Sequence, residues 1–422
     1  MKQYGINLLV ILAICSPLAF AQLFCSGGCG GGGTVIPSQN DFRLTLATGY
    51  PVYAPGQFAV TSTNTSGDTV STTTDPGIVT GTIITVQTTS GGLTAGTRYF
   101  ARRRSSTLYS FHTTVAGAEG DSATVDITGN QGTNKFNPSG VSATTLRLTP
   151  SAGCTSFSTA CSSVTGHISL YSGTVWADFT TSEISIALGT LTSGFNYDAF
   201  AYNNGGTVTL ELSTSWGSDT IRTSTTLTSQ DGVPVKGTDA TRRYVGTFRT
   251  DSTTTTIDDA GGISSQVGGK RFVFNAANPK NREVIVWDGA ASWTYNTATW
   301  RQANGNAGNK VEWVDGLGQA SIDMLLAAGA GFSSSTAGGA SAIGIDQTTD
   351  GYYSGANSIV GHVATGTTGG VPTSPVRFNR TIGVGYHFAA WLEIGNGVAG
   401  MSQVGKDTAN LRGNGLQGFI WM

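Results

Sequence analysis

The sequence predicts an all-β, multi-module protein in which small β-domains precede a β-sandwich or jelly-roll-like C-terminal domain. Composition is the first reason: only 11% of residues are charged, against about 25% in an average globular protein. Thr and Ser supply the polarity instead, and the helix formers Glu, Lys, Gln and Met are scarce. The second reason is pattern, since short runs of alternating apolar and polar residues are bounded by Gly, Asn and Asp. The third is a repeated spacing. Leu191, Gly194 and Tyr197 stand as in a tyrosine corner, where a Tyr at the start of a sandwich strand bonds back to the chain just upstream. Leu93, Gly96 and Tyr99 repeat it about a hundred residues earlier. At 422 residues the chain exceeds the ~250–300 at which one core stops growing, so several domains are expected.

In chain order, residues 1–21 have a signal-peptide layout: Lys2, an apolar run from Leu8 to Ile14, then Ala19-Phe20-Ala21 ahead of Gln22. Asn7, Ser16 and Pro17 interrupt the run, which falls short of the ~20 apolar residues a spanning helix needs. Cleavage after Ala21 would remove Cys15 and leave Cys25, Cys29, Cys154 and Cys161. An even count and close spacing make Cys25–Cys29 and Cys154–Cys161 the disulfide candidates in an oxidising compartment. Free thiols in a reducing cytoplasm are the alternative, and a four-Cys zinc site ranks lower because the spacers do not match the usual knuckle. Residues 22–40 read as a Gly-rich linker.

Residues 41–75 read as a β-stalk or irregular region and 76–138 as a small β-module, with strand-like runs at Ile83-Ile-Thr-Val and around Tyr99 and Leu108. Arg102, Arg103 and Arg104 place a local positive spot on its second turn. Residues 139–260 read as a β-sandwich-like domain. Within it Tyr197, Ala199 and Ala201 point one way and Asp198, Phe200 and Tyr202 the other. Asn203-Asn204-Gly205-Gly206 supplies a tight turn, and Val208, Leu210 and Leu212 then face a core, completing a half-buried hairpin. Residues 261–422 form the C-terminal β-domain, where Val284 and Val286 oppose Ile285 and Trp287 before an expected Asp288-Gly289 hairpin turn.

Two stretches resemble bacteriophage virion proteins. The run Leu93-Thr-Ala-Gly-Thr-Arg-Tyr99-Phe100 followed by Leu108-Tyr-Ser-Phe is similar to a small β-module of tail and fibre proteins. From Thr144 the order Thr145-Leu-Arg-Leu-Thr-Pro, His167-Ile-Ser-Leu-Tyr, Tyr197-Asp-Ala-Phe-Ala-Tyr202 and Thr241-Arg-Arg-Tyr-Val-Gly-Thr-Phe resembles a phage virion structural family. The likeness continues through Trp293 to Asn304, Gly383 to Glu393 and Gly415 to Trp421, so it covers roughly residues 76–422. Ser151 to Ser163, with its two Cys, departs from the segment usual in that family. The resemblance implies a tail fibre, spike or minor structural protein, homotrimeric by analogy with fibres, meeting other virion proteins and a host cell-surface saccharide or protein.

No residue set points to catalysis, a cofactor or a metal. Gly395-Asn-Gly-Val-Ala-Gly400 matches a dinucleotide glycine pattern, but no helix signal follows it, and in Gly400 to Lys406 the next residue, Asp407, stands where a Mg²⁺-binding hydroxyl is needed. His112, His167, His362 and His387 are scattered, and the tight acidic groups Asp258-Asp259 and Asp346 with Asp350 do not define a glycosidase pair. A net charge of −2 leaves no footprint for nucleic acid. Trp287, Trp293, Trp300, Trp313, Trp391 and Trp421 crowd the last third, where core and binding patch are both open readings. The expected location is the virion surface, or the exterior of a cell if the leader is cleaved after Ala21. Besides the non-enzymatic virion role, a secreted bacterial adhesin built from phage-derived modules and a polysaccharide depolymerase stand as alternatives.

Overall fold

The computed structural model describes residues 36–49, 56–132, 134–152, 163–262, 267–332, 336–349, 358–365, 369–372, 375–399, 401–404 and 414–422. The protein is all-β: strand accounts for 53% and helix for 3%, arranged among the described residues in several sheets with no barrel. Cys25, Cys29, Cys154 and Cys161, together with residues 1–35, lie outside the described residues.

Three principal apolar cores account for the arrangement. The first gathers Val60, Val70, Ile84, Leu93, Tyr99, Phe111 and Phe136. Strand Arg98–Arg103 lies between Thr82–Val86 and Leu108–His112, and a short helix, Val115–Gly120, is capped by the Thr114 hydroxyl accepting from the Gly117 amide. The second core is a sandwich. Phe42, Leu44, Leu146, Leu148, Ile168 and Leu170 pack against Tyr197, Ala199, Ala201, Val208, Leu210 and Phe248 of a six-stranded sheet. The third joins Val284, Val286, Ile322, Met324, Phe378, Leu416 and Ile420 of a four-stranded sheet to Val311, Trp313, Ile343, Ala389 and Trp391 of the largest sheet.

That largest sheet, 14-stranded among the described residues, ties the cores together. It runs from the first module through strand Lys135–Ala143 to Thr256–Gly261, then Gly268–Arg271, a parallel step to Lys310–Asp315, and on to Gly385–Gly395 and Gly338–Ile345. The expected boundaries at 138/139 and 260/261 therefore fall inside paired strands. A period-2 pattern marks where strands are, and says nothing of which distant strand they join.

The segment 41–75 is likewise no stalk of its own. Strand Phe42–Thr45 pairs with Thr145–Pro150 in the second core, while Thr69–Ser71 pairs with Leu108–His112 in the first module. Nor is the end of the expected linker free. Arg243 donates to the carbonyls of Pro37, Gln39, Ser38 and Ser169, and Asn40 bridges to Ile168. Burial of the guanidinium pushes the Arg243 pKa down to about 10.

Two local expectations also change. Strand Asn196–Asn204 is buried on both faces along most of its length, because Phe200 enters the third core while Tyr197, Ala199 and Ala201 enter the second. Asp288-Gly289 is not a hairpin turn: Asn281–Trp287 pairs with Gly415–Trp421, whereas the next strand, Ser292–Thr294, pairs with Met401–Val404. The physical reason lies in Asp288, whose buried carboxylate accepts from the side-chain amides of Asn304 (3.0 Å), Asn309 (2.8 Å) and Asn306 (3.3 Å).

Candidate functional site

The two corner tyrosines sit at equivalent places in different cores. The Tyr99 hydroxyl accepts from the Thr94 amide at 2.9 Å, and the Tyr197 hydroxyl accepts from the Thr192 amide at 2.9 Å. Both rings are buried, so these residues fix where a strand enters its sheet and offer nothing to a ligand.

Carboxylates are drawn into the interior and matched there. Asp198 receives a two-pronged contact from Arg222, at 2.7 and 3.0 Å, with Thr247 and Trp216 also donating to it. Asp258 accepts from Arg271 and Arg282, and Asp259 from Arg98. The adjacent pair read as a possible acid group is thus split between separate ion pairs. The positive spot is neutralised as well, since Arg102 and Arg104 face Asp121 and Arg103 faces Asp75. Histidines that sequence left isolated acquire carboxylates: His387 Nδ1 lies 2.8 Å from Asp346, and His167 Nδ1 lies 2.7 Å from Asp178. His112 is buried between Ser110 and the Ser122 carbonyl.

Among the described residues, Glu393 and Asp288 are two buried carboxylates joined through one residue. Asn304 links them, donating its amide N–H to Glu393 and its side-chain amide to Asp288. Burial raises the Glu393 pKa, opposed by donation from Trp293 at 2.6 Å and Arg301 at 2.9 Å. Both Glu393 oxygens are occupied by these donors and the side chain is fully buried, so the group braces the Ala303–Asn309 loop against Gly385–Gly395. The glycine pattern from Gly395 leads from one strand into another, Met401–Val404.

What faces outward is different in kind. In the four-stranded sheet, strand Gly415–Trp421 lies between Asn281–Trp287 and Ser321–Ala327, and Val376–Thr381 flanks the latter. Leu416 and Ile420 point into the core, which leaves Gln417, Phe419 and Trp421 on the opposite face. Phe419 is 48% exposed and Trp421 49%. The pairing register flanks Trp421 with Asn281 and Ser321, Phe419 with Glu283 and Asp323, and Gln417 with Ile285 and Leu325. Arg377, one strand further, grips Asp323 with both prongs, at 2.8 and 2.5 Å. Of the crowded tryptophans, Trp300, Trp313 and Trp391 are buried and Trp421 is the exposed one; Trp287 and Trp293 are half-buried. Sequence could have found Trp421 only through its alternation with Ile420 and Leu416, and only once the side facing the core was known.

The fold and this surface define an all-β, multi-sheet protein that presents an aromatic sheet face to solvent. No family model and no curated protein matches the chain. Among solved structures, the insecticidal delta-endotoxin Cry8Ea1 from Bacillus thuringiensis is similar over 68% of this chain and 50% of its own, at 6% identity and a TM-score of 0.18. The chain spans about half the length of that toxin, and a likeness this weak carries no argument about fold or function.

Proposed function

We propose that the protein is a non-enzymatic, phage-type virion component, a tail fibre, spike or other surface protein, that touches the host envelope through the sheet face bearing Phe419 and Trp421. The observation that carries this reading is the exposure of two large aromatic side chains, two residues apart on an inner strand of a sheet whose other face is a packed core. Rigid aromatic rings contribute contact area at low entropic cost, which favours them in binding patches. Support for a structural chemistry comes from the buried carboxylates: Asp198, Asp258, Asp259 and Glu393 are each matched by arginine. A homotrimer, proposed by analogy with fibres, would present three such faces and multiply weak contacts through effective concentration.

The test uses the full chain, because the largest sheet crosses residue 260 and an isolated 261–422 fragment would expose a cut edge. Mass spectrometry of purified particles is expected to find the chain, and added soluble protein is expected to compete with particle adsorption to host cells. Absence from particles would defeat the virion reading. The leader order from Lys2 to Ala21 favours a second reading, an exported adhesin, which predicts the chain in the culture medium, beginning at Gln22.

A further inference from the structure

We propose that the face formed by Gln417, Phe419 and Trp421 binds a neutral hexose polysaccharide. This deepens the host-contact reading and rests on it for biological context, but its chemistry is argued from the surface alone.

The first argument is area. An aromatic side chain offers roughly 150–250 Å², so two rings near half exposure present on the order of 200 Å². A stable pairing with a second copy needs about 800 Å² from each partner. Even with half-buried Ile285, Leu325 and Trp287 on the same face, the exposed apolar area falls short of that and is commensurate with a few sugar units. The second argument is what surrounds them. Protein interface cores are depleted of charge, whereas here Glu283 and Asp323 flank Phe419, and Asn281 and Ser321 flank Trp421. Each ring is thus an apolar plate with hydrogen-bonding groups at its sides. That matches a pyranose, which has an apolar C–H face and a rim of hydroxyl groups. The third argument is spacing: Phe419 and Trp421 are two residues apart on one strand, placing the plates about 6.8 Å apart along it, so consecutive units of one chain can be engaged. Charge then selects among saccharides. Arg377 matches Asp323 on one side of Phe419 and the exposed carboxylate of Glu283 lies on the other, and this acidic flank disfavours uronic acid polymers.

The experiment is isothermal titration calorimetry of the full chain with cellohexaose, mannohexaose and a hexauronic acid. Saturable binding of at least one neutral hexasaccharide, with the uronic acid weaker, is the expected result. Trp421→Ala is expected to weaken that binding by about tenfold or more, Trp421→Tyr to retain part of it, and Gln417→Ala, which leaves both rings in place, to weaken it less. Unchanged circular dichroism would show that the variants fold. The proposal is overturned if no neutral hexasaccharide binds up to millimolar concentration, if the uronic acid binds as tightly, or if Trp421→Ala leaves affinity unchanged. It is equally overturned if Trp421→Ala alters only self-association in sedimentation or only binding to phosphatidylcholine vesicles. Should the sugars fail while Trp421→Ala still abolishes attachment to host cells, this inference falls and the host-contact reading stands.

Discussion

At the scale of residues, the structure separates groups whose partners are near in sequence from groups whose partners are not. The Tyr197 hydroxyl meets an amide only five residues upstream, so its spacing was legible. Tyr197→Phe is expected to remove that bond and cost about 0.5–1.5 kcal/mol. Tyr197→Ala also removes a buried ring stacked 5.5 Å from Phe248, and should cost about 3–5 kcal/mol. Denaturant midpoints of both variants are the measurement; equal, negligible shifts would contradict the corner. Asp198, one residue on, was illegible, because it is matched by Arg222 and Thr247, whose convergence only the folded chain reveals. His167 gives a pH prediction. Its hydrogen bond to Asp178 raises its pKa above the ordinary value of about 6.5. The stabilisation is fully present below that ordinary value and is lost as pH rises through the raised one. Titration of the His167 ring by NMR should show the raised midpoint, and Asp178→Asn should return it toward the ordinary value.

At the scale of elements, hairpins were readable where the turn itself imposes the geometry. Gly205 and Gly206 both have positive φ, and Asn204 pairs with Thr207 across them, as a two-residue turn requires. Asp288-Gly289 has the same turn chemistry without the hairpin, since three asparagine amides hold Asp288 inside and the chain departs to another sheet. Alternation in Gly415–Trp421 was visible too, but its central place between Asn281–Trp287 and Ser321–Ala327 was not, because those partners are about a hundred or more residues away. That place makes Gly418 a sensitive position. A Cβ there would lie 2.1 Å from the Asp323 carbonyl oxygen and 2.8 Å from the Met324 Cα. Gly418→Ala is therefore expected to destabilise by about 1–3 kcal/mol, as overpacking does, and to speed hydrogen exchange along the strand. A neutral effect on both would mean the strand does not sit centrally in its sheet.

At the scale of the whole molecule, the all-β class followed from composition and pattern, while the expected module boundaries fall inside strands that pair across them. Strands Lys135–Ala143 and Thr256–Gly261 pair with each other across the expected boundaries, and Phe42–Thr45 joins a core built mostly from residues beyond 140. Long-range pairing is set by which apolar faces fit together, and a local pattern does not encode it. The same reason hid the exposed aromatic face: Trp313, Trp391 and Trp421 all lie on strands, and only the packing of the sheets makes the first two core and the third surface. The proposed attachment of the protein to host cells through this face can be tested on the intact chain. A direct test is cell binding by the full chain carrying Phe419→Ser and Trp421→Ser together, beside a control variant, Val175→Ser, at an exposed apolar residue in the turn between Gly166–Tyr171 and Trp176–Thr181. The double variant is expected to keep its unfolding midpoint yet bind cells at least about tenfold more weakly, while the control binds like the unaltered protein. A correctly folded double variant that binds cells as well as the unaltered chain would contradict it.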